Sequence, residues 1–315
     1  MERTAFTAYR DKVVTNCARV IVGKDDIIEK VLVSFLCGGH VLLEDKPGTG
    51  KTMLLRAFAR TVGGEFPAGT VHARPAPVGP DGHQLLQPED RRVRVPGPAR
   101  SSPTLCWRTR STAPRHAPSR PCWKPWRKKQ ITVDGVTSRL AEPFMVLATQ
   151  NPLESFGTFP LPDAQMDRFF MRLSLGYMNR EQEMEVLSRP SAQAVLSQLN
   201  PVVTPEETAY VRTAYREVKV SDDVKNYLMD IVEATRMQGG FVSGVSTRGA
   251  LALYQAAQAY AALQGRDYVV PEDVKGLAPA VLCHRVALGG SMNAEAATQR
   301  LRKLLSDVEV PLENH

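Results

Sequence analysis

The sequence lacks the features that mark membrane and secreted proteins. No apolar run reaches the roughly 18 residues that a membrane-spanning helix needs, and the first residues, MERTAFTAYRDKVV, do not contain the apolar core of a signal peptide. The five cysteines, at positions 17, 37, 106, 122 and 283, show neither metal-ligand spacing nor a disulfide pattern. We therefore expect a cytoplasmic protein with reduced thiols and no membrane partner.

One long segment is also poor in acidic residues. Residues 67–129 contain 13 lysines and arginines against 3 acidic residues, whereas the rest of the chain has 27 against 30, so the net charge of +7 is local. The same segment holds 12 of the 23 prolines and all three tryptophans, and it shows no helical or strand periodicity. A charge confined in this way does not by itself indicate a nucleic-acid-binding surface.

The residues around this segment indicate an α/β part followed by helices. Apolar residues at helical spacing over 27–36 precede the short apolar run Val41–Leu43, which is typical of a buried strand. A second apolar run, PFMVLATQNP, predicts another buried strand with a polar tip at 150–151. From about residue 179 the patterns are helical, and a capping box begins one helix at Thr204. The order predicts a separate small helical domain in the second half.

The sequence DKPGTGKT lies between the first strand and a helix, as a Walker A phosphate-binding loop does. Its glycines allow backbone N–H groups to surround phosphates at the positive end of the helix, its lysine can reach the β- and γ-phosphate oxygens, and its threonine hydroxyl can bind Mg²⁺. We expect ATP or another nucleoside triphosphate here, with Thr52 as the magnesium ligand. Asp45 replaces the usual first glycine. The candidate binding residues are Pro47, Gly48, Thr49, Gly50, Lys51, Thr52 and Met53.

This loop, together with four later stretches, resembles the MoxR family of AAA+ ATPases. The stretches are KQITVDGV, VLATQNPLESFGTFPLPDAQMDRFFMRLSLGY, VSTRGALALYQAAQAYAALQGRDYV and PEDVKGLAPAVLCHRV. In that family an aspartate often precedes the loop. The resemblance implies an α/β core with a parallel sheet over 1–178, a small α-helical lid over 179–287, and a closing helix and tail over 288–315.

The resemblance also assigns candidate catalytic residues. Asn151 matches the sensor-1 residue that orients the attacking water, Arg168 matches the arginine finger that acts in a neighbouring subunit's site, and Arg248 matches the sensor-2 arginine of the lid. Val22 and Gly23 are candidates for the adenine pocket. Read from spacing alone, Asn151 could simply form a turn before a proline, and each arginine could be a surface salt-bridge partner.

The family pattern requires a Walker B strand that ends in Asp-Glu, and the family spacing places this pair at Arg108 and Thr109. Neither side chain supplies a carboxylate for magnesium or water. Plausible codons for Cys106 to Ala113 spell LADEINR in another reading frame, so we interpret 67–128 as frameshifted, by a sequencing error or a true lesion. We predict no ordered Walker B strand and mostly irregular structure over 67–128. The competing interpretation is a genuine basic insertion that binds single-stranded nucleic acid.

The function implied by the resemblance is ATP binding and hydrolysis that drive remodelling or maturation of a partner protein. The expected partners are further copies of the chain, in a ring that is most often hexameric, and a protein with a von Willebrand factor A domain, without nucleic acid. Two alternatives stay open: an ATP-binding assembly module that does not hydrolyse ATP, and a nucleic-acid-binding protein that uses 67–129. No residue identifies the client.

Overall fold

The structure is a computed structural model that describes residues 2–64, 142–150, 163–237, 240–288 and 294–311, with the backbone of three further strands. In chain order the elements are α1 (Arg3–Ala18), α2 (Asp25–Leu36), β1 (Val41–Glu44), α3 (Lys51–Thr61), β2 (Thr104–Thr109), β3 (Gln130–Val133), β4 (Val136–Arg139), β5 (Phe144–Gln150), α4 (Asp163–Met166), β6 (Met171–Leu173), α5 (Arg180–Ser188), α6 (Ala192–Ser197), α7 (Pro205–Ala214), a 3₁₀ turn (Tyr215–Glu217), α8 (Asp222–Met237), β7 (Phe241–Ser243), α9 (Thr247–Leu263), α10 (Pro271–Leu282), β8 (Ala287–Leu288) and α11 (Ala294–Asp307).

A parallel sheet carries the first half of the protein. Its described strands lie in the order β2-β5-β1-β6, and β1 pairs in parallel with β5 on one side and with β6 on the other. The residues of β1 and β5 are almost entirely buried, because helices cover both faces of a parallel sheet and leave no solvated side. The α/β core with a parallel sheet that we predicted from the sequence is confirmed.

The prediction that no ordered strand forms in the Walker B position was wrong. Residues Thr104 to Thr109 form β2 and pair with β5 along its length, from Thr104 opposite Phe144 to Thr109 opposite Thr149. The pairing uses backbone groups, which every residue except proline supplies, and Thr, Leu, Cys and Trp are compatible with strands. Pro103 precedes the strand, where a missing N–H is tolerated. The rest of 67–128 lies outside the described residues.

Helices packed on one another form the second half, as the resemblance implied. Ala-rich α9 packs against α8, α10 and the 3₁₀ turn, and its small buried side chains allow the close approach of these elements. Asn179 and Thr204 begin α5 and α7 with capping boxes. The exact domain boundaries at 178 and 287 stay a prediction. Each helix within the described ranges is too short or too polar to span a lipid bilayer.

Helix α1 joins the two halves, because it packs against α2 and α3 of the core and against α7 and α9 of the helical half. Buried Asn16 donates to the Thr61 hydroxyl, at 3.0 Å, and to the Asn200 carbonyl, at 3.1 Å. Tyr9 shares a buried hydrogen bond of 2.9 Å with Thr208, and burial raises the pKa of the Tyr9 hydroxyl to about 12, so it stays protonated. One continuous hydrophobic core includes residues of both halves.

We expect Tyr9→Phe to lower the free energy of unfolding by about 1 kcal/mol, because it removes one buried hydrogen bond and keeps the ring. Tyr210→Phe is the control, since its hydroxyl only accepts an exposed bond from the Glu2 N–H, and a change within about 0.5 kcal/mol is expected there. Urea unfolding measures both variants. Equal losses in the two variants would contradict the role of the Tyr9 bond.

Candidate nucleotide-binding site

The phosphate loop joins β1 to α3 and depends on two glycines. Gly48 has φ +84° and Gly50 has φ +85°, in the left-handed region that costs a residue with a Cβ atom conformational energy. Within the described part of the chain, apart from the adjacent residues, no atom lies within 4 Å of a Cβ built at either glycine, so the backbone conformation is what favours glycine there. Gly50 is the N-cap residue of α3, and the N–H groups in the first turn of a helix, which have no partner within the helix, form an anion-binding end.

The Lys51 ammonium group lies over the loop. Its Nζ donates to the carbonyl of Asp45 at 2.7 Å, to the carbonyl of Lys46 at 2.5 Å and to the Thr49 hydroxyl at 3.4 Å. These are neutral oxygens, and phosphate oxygens are stronger acceptors for an ammonium group because they are charged. The loop therefore combines backbone N–H groups and one flexible cation, which is the donor set that a nucleoside triphosphate needs.

Asp45 ties the phosphate loop to the segment that leads to the helical half. Its Oδ2 accepts from the Gly176 N–H at 2.7 Å and from the Ser174 hydroxyl at 3.2 Å, and its Oδ1 accepts from the Lys46 N–H at 3.0 Å. Lys46 Nζ lies 5.0 Å from the centre of the Tyr177 ring, a cation–π contact. Sequence reasoning recorded Asp45 only as a departure from the loop pattern and missed this contact.

The predicted adenine-pocket residues lie against the start of α5. Val22 is buried, and Gly23 has φ +64°, with Nε2 of Gln182 only 2.0 Å from where its Cβ would be. Next to them, Lys24 Nζ donates to the Tyr177 carbonyl at 3.0 Å. Val22 and Gly23 are therefore held near the same 174–182 segment that Asp45 contacts, and their contact with adenine stays a prediction.

The strand ends bring the other core positions to the same edge as the loop. Glu44 lies opposite Gln150 in the parallel register, and the Asp45 N–H donates to the Gln150 carbonyl at 3.2 Å. Asn151 follows directly but lies outside the described residues, so its sensor role is untested. Arg108 and Thr109 lie opposite Ala148 and Thr149 at the end of β2. The position expected for Asp-Glu therefore holds no carboxylate.

Magnesium has few protein ligands here. Within the described ranges no group of three or more His, Cys, Asp or Glu side chains could hold a metal ion, and Thr52, in the first turn of α3, offers one hydroxyl oxygen. Mg²⁺ prefers oxygen ligands and usually keeps waters and substrate phosphates alongside carboxylates. These residues fit a magnesium ion carried by the triphosphate and do not fit one held by the protein alone.

One candidate arginine, Arg248, pairs with the residue that precedes the other, Arg168. Arg168 is exposed and follows α4, where its N–H donates to the Gln165 carbonyl at 3.2 Å. Arg248, in the first turn of α9, is 66% exposed at its side chain and pairs with Asp167 Oδ2 at 3.0 Å. The salt-bridge alternative for Arg248 thus matches the contact that it makes, while its role as a phosphate sensor stays a prediction.

Sequence reasoning missed three residues that bond to one another or to the backbone beside Arg168: Asp167, His284 and Arg285. Arg285, whose side chain is 2% exposed, donates to Asp167 Oδ1 at 3.2 Å and to the Phe169 carbonyl at 2.7 Å. His284 Nε2 lies 2.9 Å from the same carbonyl. Burial, with a smaller effect of the adjacent Arg285 charge, lowers the pKa of His284 to about 3, so the neutral ring donates this bond. The sequence signals were the MDRF and CHRV stretches within the resemblance.

Comparison of the sequence and the fold with known proteins identifies the class of ATPase to which the chain belongs. Residues 40–171 match the ATPase family associated with various cellular activities (AAA), and residues 233–306 match the AAA lid domain. The crystal structure of a putative ATPase from Cytophaga hutchinsonii is 29% identical in sequence, matches 98% of each chain and superposes with a TM-score of 0.74. The protein is thus an AAA+ ATPase by fold, with a nucleotide-binding loop and a helical lid.

Curated relatives define the family within this class. Protein YeaC of Bacillus subtilis, which is uncharacterized, is 38% identical over 96% of this chain and 95% of its own length. Chaperone MoxR1 of Mycobacterium tuberculosis is 30% identical over 96% of this chain and 83% of its own, and protein MoxR of Paracoccus denitrificans is 29% identical over 85% and 86%. The chain belongs to the MoxR family of AAA+ ATPases.

The buried His284 predicts acid sensitivity of the fold. Its pKa is lowered from 6.5 to about 3, so between these values the unfolded chain binds more protons than the folded chain, and stability falls as the pH falls from about 6.5 toward 3. We expect His284→Gln, which keeps a donor for the Phe169 carbonyl, to weaken this dependence. Urea unfolding at pH 7 and pH 5 measures it, and an unchanged difference between the two pH values would contradict the prediction.

Proposed function

We propose that this protein binds ATP in the 45–52 loop and uses nucleotide-dependent movement of its helical lid to remodel a partner protein. The observation that carries the proposal is the loop itself: left-handed Gly48 and Gly50, the open N-terminus of α3, and Lys51 held over them by loop carbonyls. This arrangement supplies amide donors and a cation to phosphates without moving the sheet.

Hydrogen bonds of Asp45 connect the phosphate loop to the segment that leads into the lid. The same aspartate joins the loop to Ser174 and Gly176, and Gln182 of the following helix packs against Gly23. A nucleotide that occupied the loop and reached Val22 and Gly23 would therefore contact both ends of the connection to the lid. Binding energy that differs between lid orientations is what converts nucleotide state into movement.

Hydrolysis in the family pattern depends on an acidic pair that the chain as written lacks at the end of β2. The register places residues 108 and 109 beside the tip of β5, which supports the frameshift interpretation, because LADEINR would put Asp and Glu at this edge. We propose hydrolysis for the frame-restored chain. For the chain as written, Arg108 and Thr109 favour the second candidate, an ATP-binding assembly module that does not hydrolyse ATP.

The proposed partners are copies of the chain and a client complex. Exposed Arg168 suits a role in a neighbouring subunit's site, and a closed ring, most often a hexamer, is the symmetric way to supply one finger to each site. Sedimentation with saturating ATP tests the ring, and a monomer would contradict it. We also propose a partner protein that contains a von Willebrand factor A domain. The name of the relative Chaperone MoxR1 supports a role in maturation of a client. Failure of such a domain to bind the ATP-loaded protein would contradict this.

We expect Lys51→Ala to weaken ATP binding by roughly 30- to 150-fold, equivalent to about 2–3 kcal/mol, because it removes the charged donor from the loop. Lys225→Ala is the matched control, since the described partner of Lys225 is exposed Asp222 on α8, and no change in affinity is expected. Calorimetric titration with ATP measures both. An unaltered affinity in Lys51→Ala would refute the nucleotide site.

Turnover should separate the two candidate functions. We expect the frame-restored chain to release phosphate from ATP and the chain as written to bind ATP without turnover. In the restored chain, Arg168→Ala should leave the ATP affinity within about threefold and lower kcat by about 10³-fold, because an arginine finger acts on the transition state. Phosphate release by the chain as written would exclude the non-hydrolysing candidate, and full activity of Arg168→Ala would exclude the finger role.

A further inference from the structure

The segment that carries Arg168 is held on two sides. The Phe169 side chain is fully buried against Leu42 of β1 and Ala148 of β5, and the Phe170 N–H donates to the His40 carbonyl at 2.7 Å. These contacts anchor one side of the segment to the two strands that end at the phosphate loop.

The lid holds the other side. Arg285 follows α10 and bonds to two groups that flank Arg168: the Asp167 carboxylate at 3.2 Å and the Phe169 carbonyl at 2.7 Å. A guanidinium group has a planar set of donors that can reach two acceptors at fixed geometry. Because its side chain is 2% exposed, water does not compete for these bonds. His284, as a neutral ring, adds a second bond to the Phe169 carbonyl.

A third lid residue contacts the same carboxylate from the solvent side. Arg248 pairs with Asp167 Oδ2 at 3.0 Å, but its side chain is 66% exposed, and exposed ion pairs contribute little. Arg248 can therefore leave Asp167 for another anion at small cost, whereas Arg285 cannot. Arg248 and Arg285 thus differ in how readily they release Asp167: Arg248 can exchange this partner, and Arg285 keeps it.

We infer that Arg285 is a positioning residue that couples the lid to the arginine finger of the same subunit. When nucleotide in a subunit's own site reorients the lid, Arg285 moves with the lid and displaces Asp167 and the Phe169 carbonyl, to which it is bonded. Arg168 lies between these two residues, so its position relative to the next subunit changes. The nucleotide state of one site is thereby passed to its neighbour. The inference rests on the proposed function, because it requires ATP to bind the loop and Arg168 to act in the next site.

Hydrogen exchange of the amides in 163–171 tests the coupling in the full chain. The N–H groups of Arg168 and Phe169 bond to the carbonyls of Gln165 and Met166, so their exchange reports the order of the segment. We expect a non-hydrolysable ATP analogue to change exchange here by about tenfold in the unmodified protein, independently of protein concentration. In Arg285→Lys, which keeps the charge and loses the two-acceptor reach, the change should fall below about twofold with the nucleotide Kd within about threefold.

Two further variants make the result specific. Arg266→Lys is the matched control, because Arg266 forms an equivalent two-bond pair with buried Asp273 elsewhere in the lid, at 2.7 Å for each bond, and it should keep the full response. Asp167→Asn covers the case in which Arg285→Lys does not fold. It removes the charge that both Arg248 and Arg285 contact and should also reduce the response.

Each outcome decides between the claims. Retention of the full response in Arg285→Lys, or in Asp167→Asn where the lysine variant does not fold, overturns the positioning role. Loss of the response in Arg266→Lys as well shows a general effect of lid packing and also overturns it. A protein that binds the analogue but shows no change over 163–171, or only a concentration-dependent one, overturns the coupling and leaves the proposed function intact. A protein that does not bind the analogue overturns the proposed function and the inference together.

Discussion

Parallel pairing of β1 with β5 is the constraint on which the site depends. It places the end of the loop strand, Glu44, opposite Gln150, and ligand sites of open parallel sheets lie at the carboxyl ends of their strands. The loop, the tip of β5 and the end of β2 all lie at this edge, whereas the segment that carries Arg168 enters β6 at the opposite end of the strands. The backbone register therefore determines where the elements of the site lie, and the side chains then determine its chemistry.

The same constraint explains why β2 forms from a sequence that the family pattern does not contain. A ladder of backbone hydrogen bonds along β5 is available to most six-residue segments without proline, and TLCWRT meets this condition. Side-chain patterns predicted that no strand forms here, because they indicate which residues prefer burial and do not indicate backbone pairing with a neighbouring strand. The strand restores the architecture and leaves the acidic chemistry absent, so the fold and the reaction depend here on different properties of the same residues.

Local sequence patterns predicted the parts of the site that are local. The glycine loop, the strand before it, the helix after it and the capped helices of the second half each carry their signal within about ten residues. Asp45, Asp167, His284 and Arg285 could not be found this way, because the contact from Asp45 to Gly176, that from Asp167 to Arg285 and that from Phe169 to His284 join residues more than 100 positions apart. The resemblance implied roles for Arg168 and Arg248, but only the structure shows that Arg248 and Arg285 share the Asp167 carboxylate.

Helix α1 sets a limit on how far the lid can travel. It is wedged between the helix that follows the phosphate loop and the longest helix of the lid, and buried bonds from Tyr9 and Asn16 fasten it to both halves. A wide swing of the lid would have to break these bonds and expose apolar surface, whereas a rotation of a few degrees would not. Under the proposed function, the travel of the lid would therefore be short, and work on a client would have to accumulate over successive subunits.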